Sequence, residues 1–88
     1  MPMSIPTAWL SRQSTVDALE SEFEYDGIVF GHCHSEWQQL KAKIRPGDEL
    51  WYFISPPETW TGFPRCGMEG ITLRRHGQTI DNVLLSLS

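Results

Sequence analysis

The stretch P-G-D-E-L-W-Y-F-I-S-P-P-E-T-W, Pro46–Trp60, decides how the rest of the chain is read. Pro46-Gly47 is a turn signal, because proline presets φ and glycine accepts left-handed values. Leu50 to Ile54 is then an unbroken apolar run. Side chains alternate along a strand, so Trp51 and Phe53 face one way and Leu50, Tyr52 and Ile54 the other. Both sets are apolar, whereas a half-solvated strand carries polar residues at every second place. Glu49–Ser55 is therefore expected at the centre of a sheet, with something packed on each face. Ser55-Pro56-Pro57 ends it, since proline has no N–H for the ladder and holds the preceding residue extended.

Working back toward the N-terminus, Ser35-Glu36-Trp37-Gln38 has the form of a capping box and opens a helix. Trp37, Leu40 and Ile44 form its apolar face, and Lys41, Lys43 and Arg45 suit its negative C-terminal end. Before it, Tyr25-Asp26-Gly27 is a turn, and Ile28-Val29-Phe30 reads as a second buried strand. Its place is open; a right-handed crossover parallel to the Leu50 strand is one option. Ser14-Thr15-Val16-Asp17 opens an earlier helix with Val16, Leu19 and Phe23 on one face. Five acidic residues between Asp17 and Asp26 make its other side negative, a solvated face or a docking face for a basic partner. Met1–Arg12 reads as an irregular arm pinned to the body by Trp9 and Leu10.

Toward the C-terminus, Glu58–Met68 is expected to be a loop with one short helical turn after the prolines. A hairpin follows from Glu69 or Gly70, with His76-Gly77 as its two-residue turn. That turn pairs Arg75 with Gln78, Leu73 with Ile80 and Ile71 with Asn82. The last pair sets a polar residue on the apolar side; a bulge near Asp81-Asn82 would repair the phase, and the alternative is that Ile80–Leu87 is covered on both faces. The result is one α+β domain over residues 1–88. It has a small antiparallel or mixed sheet of three or four strands with two helices packed on it.

Composition bounds the function. Apolar residues at 40% and charged residues at 20% are ordinary for a folded chain. The net charge of −4 disfavours nucleic acid as a partner. A local basic patch of Lys41, Lys43, Arg45, Arg74 and Arg75 is the one arrangement that would support it. Two cysteines, Cys33 and Cys66, are too few for a disulfide framework and fit a reducing cytoplasm. The N-terminus lacks a signal-peptide pattern, and no run approaches the ~20 apolar residues of a membrane span.

The run G-D-E-L-W-Y-F-I-S-P-P-E-T-W, the G-x-x-G spacing at Gly67–Gly70 and the closing R-R-H-G-Q resemble a group of short uncharacterised bacterial and prophage proteins. These share a G-D-E-[LI]-W-x-[FY]-x-S-P segment, a glycine-rich link and a terminal hairpin. The likeness covers Pro46 to Gln78. It implies a compact domain with an antiparallel C-terminal half and a bacterial or prophage origin. No activity attaches to the group, so it assigns no functional residue.

Three chemistries compete. An interaction surface would use Trp60 and Phe63, presented behind the stiff Pro56-Pro57 and rimmed by Arg65, Arg74 and Arg75. Its bland counterpart has Trp60 folded back as a lid on the sheet. A metal site, zinc foremost, would use His32 and His34, which share a side if the segment is extended, with Cys66, His76 or a carboxylate as third ligand. Cysteine catalysis would need a base at Cys33 or Cys66, and neither has one at helical or strand spacing. No P-loop, dinucleotide or nucleophile-elbow motif is present. The expected function is non-catalytic binding of a protein partner or of a second copy, and a metal-binding or regulatory domain is the alternative.

Overall fold

The computed structural model describes residues 2–87. Four antiparallel strands form the sheet in the order β1 (Leu10–Ser14), β4 (Glu49–Ile54), β5 (Met68–Arg75), β6 (Gln78–Leu87). Between β1 and β4 come helix α1 (Val16–Glu22), a small ribbon of β2 (Glu24–Tyr25) and β3 (Ile28–Val29), and helix α2 (His34–Ala42). A short helix α3 (Glu58–Thr61) follows β4. The fold is α+β, as the apolar run of β4 and the hairpin signals require.

β4 lies inside the sheet, and its two apolar faces are both used. Leu50 lies opposite Leu73, and Tyr52 opposite Ile71, which in turn lies opposite Val83. These rows meet the helices in a core that includes Leu19, Phe30, Trp37 and Leu40. On the other face Phe53 is fully buried, with Leu10 and Gly70 as its neighbours across the sheet. A Cβ on Gly70 would run into the Val83 carbonyl oxygen and sit 3.1 Å from Phe53 Cζ, so the close approach of the β6 backbone needs glycine there. The N-terminal arm also lies on β6. Asn82 Nδ2 donates to Met3 O at 2.7 Å, Ile5 N donates to Thr79 Oγ1 at 3.3 Å, and Ile5 is buried.

Several expectations are corrected. Leu10–Ser14 is a strand, because it closes the edge that β4 would otherwise leave open. Ile28–Phe30 is not a strand of the main sheet. Asp26 and Gly27 both take positive φ (52° and 79°), the mirror-image turn favoured by Asp-Gly, and fold Ile28 back onto Tyr25. Ile28 is exposed; Phe30 leaves the ribbon with φ 63° and buries its ring. The second helix is entered through a tight turn at Gly31–Cys33 and starts at His34, so Ser35 is not its cap. For α1 the cap is Thr15, whose Oγ1 accepts from Ala18 N at 3.2 Å, one residue after the expected Ser14.

The hairpin forms as expected at its turn, with His76 and Gly77 at positive φ and Arg75 opposite Gln78. The expected bulge is there, displaced by one residue. Register shifts between Leu73 and Arg74, which puts Leu73 opposite Asp81 and Ile71 opposite Val83. A second shift falls between Glu69 and Gly70.

Charged groups tie the layers together. Glu20 on α1 accepts from both Lys41 Nζ (2.7 Å) and Trp37 Nε1 (2.8 Å) on α2. Those two hydrogen bonds hold its carboxyl below the usual carboxylate range. Arg75 grips Asp48 through Nε (2.9 Å) and Nη2 (2.8 Å), and Nη2 also donates to Lys43 O. The hydrogen bonds from Arg75 hold Asp48 at about 2. This bidentate pair pins the turn before β4 to the end of β5.

Candidate functional site

Ser55 and Met68 close the neck of the segment between β4 and β5. Ser55 N donates to Met68 O at 2.8 Å, and Met68 N donates to Ser55 Oγ at 2.9 Å. Ser55 is buried, and its hydroxyl lies 2.6 Å from Thr59 Oγ1, which donates to Pro56 O at 2.6 Å. Pro57 sits just before α3, where a missing N–H costs nothing, and Thr59 N and Trp60 N bond back to Pro56 O and Pro57 O. Cys66 N donates to Thr59 O at 2.9 Å and fastens the returning strand. The segment is a closed surface loop with its own internal bonding, the kind of element that carries function on a fixed scaffold.

The loop divides its two aromatic residues. Trp60 is half-buried, and its Nε1 donates to Ser55 O at 3.3 Å, so it folds back over the neck. Phe63 points away from everything: its exposure is 102%, the highest of the large apolar residues among those described. Pro64, Arg65 and Cys66 beside it are exposed too. The tip is thus Phe63-Pro64-Arg65-Cys66, and of the residues expected at an interface it contains Phe63 and Arg65.

Arg74 does not join them. It lies six residues along β5 from the loop neck, roughly 20 Å at strand rise. There its Nη2 donates to Gly77 O at 2.7 Å across the hairpin turn. Of the basic residues that could have formed a nucleic-acid patch, Lys41 is paired with Glu20, Lys43 with Asp81 and Arg75 with Asp48. Of the acidic run on α1, Glu20 and Glu22 are likewise paired, Glu22 with Arg12 at 2.5 Å.

The metal candidates are not gathered. His32 sits in the tight turn before α2 and His34 is the first residue of the helix, so the extended geometry that would align their rings is absent. His34 Nδ1 lies 2.9 Å from Val29 O. Among the described residues no three of His, Cys, Asp and Glu are placed to hold a metal ion, His32, His34 and Cys66 included. Cys33 is buried, donates to Leu84 O at 3.4 Å, and has its thiol pushed up by that burial. A nucleophilic cysteine needs the opposite shift.

Sequence reasoning missed a second grouping on the helix side of the sheet. The Tyr52 hydroxyl donates to Glu69, and burial followed by this carboxylate pushes the phenol up to about 12. The Arg12 guanidinium lies 4.7 Å over the Tyr52 ring, and Phe23 stacks on Tyr52 at 6.3 Å and on Phe30 at 5.1 Å. The period-2 pattern does place Tyr52 and Glu69 on one face once their register is known, but no local signal supplies that register. Among the described residues no helix is long and apolar enough to cross a membrane. Compared with known proteins, the chain matches no family model, no curated protein and no solved structure.

Proposed function

We propose that this chain is a binding module that docks onto another protein molecule through the tip of the Ser55–Met68 loop. Phe63 is the anchor, and Arg65 is the polar contact beside it. The observation that carries the reading is the full exposure of Phe63 on a loop whose neck is closed by the buried Ser55. Leaving a phenylalanine in water forgoes about 1.5–3 kcal/mol of burial, which a partner's apolar pocket would recover. An aromatic ring on a braced loop also loses little freedom on docking, and aromatic residues are enriched at the centres of interfaces. Two free cysteines, one of them exposed, fit a reducing cytoplasm as its place of action.

The test places a photo-crosslinking phenylalanine analogue at position 63, with the same analogue at exposed Glu36 as control. The reading expects a discrete product from position 63 alone. Unlabelled wild type competes the product away, and the Phe63→Ala protein does not. A product of twice the chain mass in purified protein identifies the partner as a second copy. A heavier product formed only in cells identifies a different protein. Equal, uncompeted labelling from positions 63 and 36 overturns the reading.

A further inference from the structure

An open cleft of about 480 Å³ lies between the N-terminal arm and the hairpin turn. That volume falls within the range of small-molecule sites, roughly 300–1,000 Å³. Arg74 on β5 supplies its charge. Ser4 and Thr7 on the arm and Gln78 beyond the turn line it with hydrogen-bonding groups, and Pro2 and Pro6 add apolar wall. Among the described residues no carboxylate lines it. In a chain of net charge −4, a cleft whose only charge is positive stands apart from the rest of the surface.

Arg12, Lys41, Lys43 and Arg75 each hold a carboxylate, whereas Arg74 forms no ion pair among the described residues. Glu49 lies opposite it across β4 and β5, but the Glu49 carboxylate accepts from Trp51 Nε1 at 2.8 Å instead. A guanidinium has five N–H donors. One bond, from Nη2, goes to Gly77 O, while Nη1 is buried with no hydrogen-bond partner. The charge is therefore partly withdrawn from water with nothing negative to offset it, which costs stability until an anion pairs with it. The bond to Gly77 O also fixes the guanidinium beside the cleft before any ligand binds. Its planar fork matches the two oxygens of a carboxylate. One positive charge balances one negative, so a monocarboxylate is neutralised there and a doubly charged phosphate is not. The two prolines suit a short carbon body next to the charged end.

We propose that the cleft between the arm and the hairpin turn binds a small organic monocarboxylate, with Arg74 as its charge partner. Ser4, Thr7 and Gln78 donate hydrogen bonds to the polar end of the ligand, and Pro2 and Pro6 pack on its carbon chain. The site is separate from the loop tip, because neither Phe63 nor Arg65 lines it, and it does not depend on the docking proposal.

The experiment titrates butyrate into the full chain at constant ionic strength and follows the backbone amides of Arg74, Gln78 and Thr79 by NMR, with neutral butyramide as the matched control. The proposal expects saturable shifts of these amides with butyrate and none with butyramide. Arg74→Gln removes the charge and is expected to weaken binding at least roughly tenfold, the scale of one charge-assisted contact. Gln78→Glu changes an exposed residue by a single group and sets a competing carboxylate in the wall. It is expected to weaken binding to a similar degree with an unchanged melting temperature, which separates loss of the site from loss of the fold. Inorganic phosphate is expected to shift the same amides only at higher concentration than butyrate. Absence of saturable shifts, an equal response to butyramide, half-saturation by phosphate at a lower concentration than butyrate, or either variant binding as tightly as wild type overturns the proposal.

Discussion

Two regions of this molecule are rich in aromatic residues and use them in opposite ways. In one, Phe23, Phe30 and Trp37 stack in series, with centroids 5.1 and 4.7 Å apart, and Trp37 is fully buried. In the other, the Ser55–Met68 loop, one ring folds back on the neck and Phe63 stands in water. Aromatic content alone does not separate them. The difference lies in what the backbone is bonded to. The stack rides on a helix and a ribbon that face the sheet across apolar rows, so rings that turn inward meet partners. The loop satisfies its backbone internally, through Ser55, Thr59 and the Pro56 and Pro57 carbonyls, with Trp60 folded on the neck, and so does not need Phe63 to hold it in place. A ring freed from structural duty is available for binding.

The largest effect that would test this contrast is expected at Trp37. Trp37→Ala removes a fully buried ring and the hydrogen bond to Glu20, and should cost about 3–5 kcal/mol by urea titration. A domain of this length holds only about 4–13 kcal/mol in total, so the variant should sit near the threshold of folding. Ser55→Ala comes next. It strips the Met68 amide and the Thr59 hydroxyl of a partner, which should cost about 1–2 kcal/mol and speed amide exchange at Met68 while the helices keep their protection. If the whole chain loosens equally, the loop is not the separate unit described above.

Smaller still is the acid response of the Arg75–Asp48 pair, which clamps the far end of β4. Asp48 is held at about 2, while an unfolded aspartate titrates near about 3.9. Its contribution is therefore fully present above about pH 4 and is lost as pH falls toward about 2. Thermal melts should show wild type above Asp48→Asn at neutral pH, with the gap closing across that window. A gap that stays constant down to the lowest pH would show that the pair does not act through the Asp48 charge. Smallest of all is Phe63→Ala, expected to change stability by less than about 0.5 kcal/mol because the ring touches nothing. A loss comparable to that of Trp37→Ala would erase the distinction between the two regions.

Much of the architecture was legible because it is set by short-range rules. Pro46-Gly47, Pro56-Pro57 and His76-Gly77 restrict their own backbone whatever surrounds them, and each marks a chain reversal or a strand end. The unbroken apolar run of β4 told of burial on both faces, and the polar-for-apolar mismatch at Asn82 told of a bulge. The loop tip was legible in part. Phe63 and Arg65 follow from their place after the two prolines, whereas Arg74 was grouped with them only because its distance along β5 is invisible before the strands are laid out.

What the sequence by itself determined is this set of local events: the turns, the two helices, the central strand and the terminal hairpin. Each is decided by residues within a few positions of one another. Tertiary structure alone decided that Leu10–Ser14 would become a strand, since the polar S-R-Q-S has no strand pattern and pairs because β4 offers an edge. It alone decided that Ile28–Val29 would leave the sheet for a two-stranded ribbon, although the Asp26-Gly27 turn that does this lay in plain view. It also brought Arg12, Phe23, Tyr52 and Glu69 together from four separate elements. Contacts between residues far apart in the chain depend on which surfaces are left over once the local structure has formed, and that remainder is a property of the whole chain.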